Sequence, residues 1–167
     1  MKLPTGESDL PGEPAVSRPL AHRLTPGTGS TDAFVDLVFQ QGQRRFVWGG
    51  DLEYRWRGEG EEDYRLGDEV TLDLDGEYVL FPRVYERPGN EVFVLLETTV
   101  RHRFDDELAG RSLATGGTEL LLAPGVQHIA TEQMLVSVSL QLPVWEDLDP
   151  LAPETDWNLL AEIRYAF

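Results

Sequence analysis

Charged side chains recur at every second position in several stretches of this chain. In "GGDLEYRWR" they are Asp51, Glu53, Arg55 and Arg57, and in "VTLDLDGEYVL" they are Asp73, Asp75 and Glu77. Glu97, Arg101 and Arg103 keep the spacing in "LLETTVRHRF", as do Glu162 and Arg164 in "LLAEIRYAF". A two-residue period places such groups on one side of an extended strand. The chemistry open to them there is electrostatic. Around an open, hydrated path they would set ion and solute preference. Around a closed one, Asp51, Glu53, Asp73, Asp75 and Glu77 would simply pair with Arg55, Arg101, Arg103 and Arg164 across neighbouring or facing strands.

Covalent and metal chemistry has less to work with. His22, His102 and His128 lack the spacing of a metal triad. Ser137 and Ser139 have no Gly-x-Ser-x-Gly elbow around them and read as lining of the polar side. "PGTGS" lacks the lysine of a phosphate-binding loop, so a tight turn is the better reading. No catalytic residue, metal site or cofactor is therefore expected, and the chain does not read as an enzyme. The acidic stretches "EGEED" and "FDDELAG" read as solvated loops; holding divalent cations that bridge anionic lipopolysaccharide is the weaker alternative.

The totals narrow the partners. With 30 acids against 14 bases the formal net charge is −16, which argues against nucleic acid, since neutralising phosphates takes a basic surface. At 167 residues the chain is long enough for one domain. It has no cysteine, so disulfide scaffolds and cysteine-rich metal sites are excluded. No apolar run reaches the roughly 18 residues of a spanning helix. The N-terminus lacks the apolar core of a secretory signal.

The elements that must carry the charges are strands. Residues 7–29 are rich in Pro, Gly and Ser and read as a long loop. Period-two segments follow at residues 33–40, 46–57, 70–80, 91–104, 119–128, 134–145 and 155–167. Pro124 and Leu121 make the fifth of these irregular. Counting Lys2-Leu3-Pro4 as one more piece gives about eight strands, joined alternately by long and short connections. That rhythm predicts an all-β fold, an antiparallel up-and-down transmembrane barrel, either complete in itself or part of a larger one.

Alternation leaves open which face meets water, because a soluble lipocalin-like barrel has the same period with its apolar face inward. Three features favour lipid on the apolar side. Aromatic residues sit at the ends of the apolar faces: Phe46, Trp48, Tyr54, Trp56, Tyr78, Trp157, Tyr165 and Phe167, as in the interfacial girdles of membrane barrels. The segments run about nine to twelve residues, a length suited to crossing hydrocarbon, where soluble strands average about five or six. The opposite faces mix acids and arginines.

The last strand also carries a resemblance. Ile163, Tyr165 and a terminal Phe167 are similar to the C-terminal signal by which the assembly machinery of bacterial outer membranes recognises its barrels. "KLPTG", "PGTGS", "DYRLGDE", "LLLAPGVQ" and "SVSLQLPVWEDL" together resemble the transporter family labelled for the meta-pathway of phenol degradation, over essentially the whole chain. The resemblance implies an outer-membrane barrel that passes aromatic or other hydrophobic compounds, with outer-membrane lipids and the assembly machinery as partners. It brings no catalytic residues. Members of that family carry a signal peptide and further strands ahead of a segment like residues 2–6, so the resemblance implies that this chain corresponds to the C-terminal part of a longer barrel. The expected function is thus a passive channel for small solutes. The alternatives are a soluble binder of an apolar ligand and a structural barrel without transport.

Overall fold

The computed structural model describes residues 29–60, 63–83 and 89–167. The expected strand at Lys2-Leu3-Pro4, most of the 7–29 loop and His22 lie outside them. In chain order the strands are β1 (Ala33–Gln43), β2 (Phe46–Trp56), β3 (Tyr64–Arg65), β4 (Glu69–Phe81), β5 (Glu91–Arg103), β6 (Glu107–Leu108), β7 (Arg111–Ser112), β8 (Gly117–Thr131), β9 (Met134–Leu148) and β10 (Asn158–Tyr165). No α-helix occurs among the described residues. The long strands β1, β2, β4, β5, β8, β9 and β10 form one antiparallel sheet. Each pairs with the long strand before it, so the sheet is a meander. β1 and β10 are its two edges and do not pair with each other, so the described residues form an open sheet rather than a closed barrel.

Alternation drives this arrangement, because a one-residue slip would exchange the two faces of a strand. The register keeps them separate across the whole sheet. Leu37, Leu52, Leu72, Val100 and Leu120 stand opposite one another in turn, forming an apolar row across five strands. One residue along, Asp36, Glu53, Thr71, Arg101 and Glu119 form a polar row on the other face. Gly50 sits opposite Phe39 in the pairing, and a Cβ there would lie 2.7 Å from the Phe39 ring. The glycine gives the ring its place.

The apolar face is left uncovered. Leu52 is 43% exposed and Ile163 73% exposed. The buried apolar residues among those described are Tyr64, Val79, Leu121 and Ala123, far short of the packed layer a two-layer domain builds. Leu121 and Ala123 belong to the polar side of β8, where they are 1% and 2% exposed. The better-shielded face of the sheet is therefore the polar one.

The two ends of the sheet differ. At one end β1 turns into β2 through Arg44 and Arg45, and β8 into β9 through Glu132 and Gln133. At the other, the longer connections between β2 and β4 and between β5 and β8 contribute a second, three-stranded sheet of β3, β6 and β7. The plan expected from the sequence holds in part, because the connection between β4 and β5, residues 82–90, lies at the same end as the two short turns.

Several boundaries differ from expectation. The stretches between the expected strands at 46–57 and 70–80 and at 91–104 and 119–128 contain β3, β6 and β7, whose two-residue length leaves no period to read. Pro124 lies inside β8, at a point where Ala123 and Pro124 have no paired partner on β9. The gap in the ladder thus falls where the proline has no N–H to give it. The final strand is shorter than expected, with Trp157 before β10 and Phe167 after it.

Candidate functional site

The polar face of the large sheet gathers the charged residues that the two-residue spacing singled out. Pairing places Asp51 beside Asp73, Asp75 beside Glu97, and Glu53 one row away. Glu77 follows two residues after Asp75 on the same side of β4. Thr99 donates a hydrogen bond to Asp73. Arg103 pairs with Glu69 at 3.4 Å, and Glu162 and Arg164 pair with each other at 2.7 Å on β10. Arg57 stands just past the end of β2, where it pairs with Asp32 at 3.3 Å.

Of the expected pairings of arginines with Asp51, Glu53, Asp73, Asp75 and Glu77, the described residues show one, at Glu53. Arg55 reaches Glu53 on its own strand at 2.7 Å, and Arg101 reaches Glu119 at 3.0 Å. Among the described residues no arginine forms an ion pair with Asp51, Asp73, Asp75, Glu77 or Glu97. The result is a patch of five carboxylates with little counter-charge, spread over three adjacent strands. Such a patch raises the local concentration of cations and repels anions. Among the described residues no group of three or more His, Asp or Glu has the arrangement of a metal site.

The apolar face carries Phe46, Trp48, Tyr54, Trp56, Tyr78 and Tyr165, while Phe34 and Phe93 fall on the polar one. Phe46, Trp48, Tyr54, Trp56, Tyr78, Trp157, Tyr165 and Phe167 are all exposed. Phe46, Trp48 and Tyr78 lie toward the short-turn end, and Tyr54, Trp56 and Trp157 toward the long-loop end. Trp56 and Phe46 are ten residues apart on β2, or about 33 Å along the strand. Arg45 lies over the Tyr78 ring, 5.5 Å from its centroid.

Two residues of these faces are not placed by alternation alone. A register shift in β8–β9 brings Trp145 opposite Leu120 on the apolar side and Glu146 opposite Glu119 on the polar side. Strict alternation assigns both to the wrong face. The doublet Val144-Trp145 sits at the shift, but the doublets Leu95-Leu96 and Leu159-Leu160 pair in continuous register, so a doublet alone does not locate a bulge.

The long-loop end is laced together by aspartates. Asp32 accepts from the Gly58 N–H at 3.3 Å, and Asp68 from the Arg57 N–H at 2.8 Å. Asp106 accepts from the Gly67 N–H at 2.9 Å and from the Tyr64 hydroxyl. Asp105 accepts from the Gly116 N–H at 2.9 Å and from the Ser112 hydroxyl. The two aspartates of "FDDELAG" are thus engaged within the fold, which removes support for that loop as a cation bridge.

Protonation should undo part of this lacing. Burial pushes the Asp68 carboxyl up, but hydrogen bonds from Arg57 and Tyr54, with Arg65 beside it, outweigh burial and hold it below its ordinary value of 3.8. Asp105 is lowered chiefly by Ser112 and then by the Gly116 N–H. A carboxyl lowered on folding contributes stability that is complete above its ordinary value and lost as pH falls through the lowered one. Pepsin cleavage within residues 104–116 should therefore begin only below about pH 3.8. Cleavage beginning well above that pH would contradict the assignment.

Fold and site together define an all-β protein built on one long antiparallel sheet with an apolar and a charged face. No family model, curated protein or solved structure matches the chain.

Proposed function

We propose that the chain forms part of the wall of a bacterial outer-membrane β-barrel that passes small solutes passively, its apolar face toward lipid and its charged face toward water. The observation that carries this reading is the exposed apolar face with aromatic residues toward both ends. A bilayer would cover that face and seat the rings at its two interfaces. Strands of 11 to 15 residues in β1, β2, β4, β5, β8 and β9 are long enough to cross at a tilt. Hydrophobic or aromatic compounds are the solute class that the family resemblance suggests. Ile163, Tyr165 and Phe167 would serve as the assembly signal.

The carboxylate patch gives the reading its test. Asp73→Asn with Asp75→Asn, in protein reconstituted into planar bilayers, should lower the cation-to-anion permeability ratio several-fold, read from the reversal potential in a salt gradient. An unchanged ratio in a conducting protein would rule out an acid-lined path.

A further inference from the structure

The connection between β9 and β10, residues 149–157, does not extend away from the sheet. β10 begins at Asn158, paired with Gln141, so residues 142–148 of β9 run on beyond it. The connection first follows the β8 side: the Asp149 N–H donates to the Gly116 carbonyl at 3.1 Å, and the Leu151 N–H to the Ala114 carbonyl at 3.2 Å. It turns at Ala152, whose N–H donates to the Asp149 carbonyl at 2.9 Å. It then returns to the sheet. The Thr155 hydroxyl donates to Glu119 Oε2 at 3.0 Å, and the Thr155 N–H to Glu146 Oε1 at 3.3 Å.

Both acceptors belong to the polar face, where Glu119 and Glu146 stand opposite each other. Glu119 is 5% exposed and serves two partners, with Oε1 held by Arg101 at 3.0 Å and Oε2 by Thr155. Two carboxylates therefore tie the connection to the sheet, Glu119 through the Thr155 hydroxyl and Glu146 through the Thr155 N–H. Pro150 and Pro153 restrict the backbone on the way, which reduces the entropy lost in holding one path.

We propose that residues 149–156 form a strap, latched by Thr155 to Glu119 on the polar face, that narrows the solute path at the long-loop end. Arg101 is a positioning residue that fixes Glu119. The narrowing rests on the channel reading above; the latch itself does not.

Two measurements on the lipid-reconstituted protein separate them. Hydrogen exchange across residues 149–157 should be slow in the wild type and roughly fivefold faster in Thr155→Val, the factor expected for loss of one ordinary hydrogen bond. Single-channel conductance of Thr155→Val should rise, or show added flicker, relative to wild type. Fast exchange in the wild type, or exchange unchanged by the substitution, overturns the latch. A latched strap with conductance identical in both proteins overturns the narrowing. A latched strap in a protein that never conducts overturns the channel reading and the narrowing with it, while the latch stands.

Discussion

Arginine placed at Leu52 should destabilise the protein in lipid by about 2–4 kcal/mol, whereas arginine at Trp56 should cost about 0–1 kcal/mol from its charge. Leu52 lies mid-strand in the apolar row between Leu37 and Leu72, and Trp56 ends β2. In hydrocarbon the cost of a charge depends on depth, greatest at the midplane and small near the interfaces. Thr71→Arg, on the polar face beside Glu53 and Arg101, should be nearly neutral. The measurement is denaturant unfolding in lipid vesicles for the three variants. A packed protein interior would penalise Trp56→Arg as heavily as Leu52→Arg, and that outcome would favour the soluble, ligand-binding alternative.

The second large effect is expected at Asp106, which is 0% exposed. Asp106→Ala removes the acceptor of the Tyr64 hydroxyl and the Gly67 N–H. A buried donor left unsatisfied costs about 1–3 kcal/mol, so the pair should cost about 2–6 kcal/mol. Gly67 leaves little room to adjust, because a Cβ there would lie 1.9 Å from the Phe104 carbonyl oxygen. Hydrogen exchange should rise in residues 63–68 and 104–116 while the β1–β2 ladder keeps its protection. Tyr64→Phe, which removes one donor and leaves the carboxylate, should cost less. Wild-type protection in Asp106→Ala would show that the aspartate does not hold this end together.

The sheet is legible in the sequence wherever alternation runs unbroken. Asp73, Asp75 and Glu77 declare one face of β4, and Leu72, Leu74 and Tyr78 the other, without reference to any neighbour. Ion-pair partners are not legible, because they depend on cross-strand register. Arg101 meets Glu119 only through the pairing of β5 with β8, and that register follows from connections whose geometry the sequence does not display. Trp145 is misassigned by one residue at a bulge. Asp106 gives no sign of its burial, since an aspartate in an acidic loop looks the same whether solvated or enclosed.

The count of seven long strands among the described residues has a directional consequence. In an antiparallel meander every odd member points the same way, so β1 and β10 both run from the long-loop end toward the short turns. Joined directly, they would leave a parallel seam. A ring with opposed neighbours all round needs an odd number of additional strands, one giving eight and three giving ten.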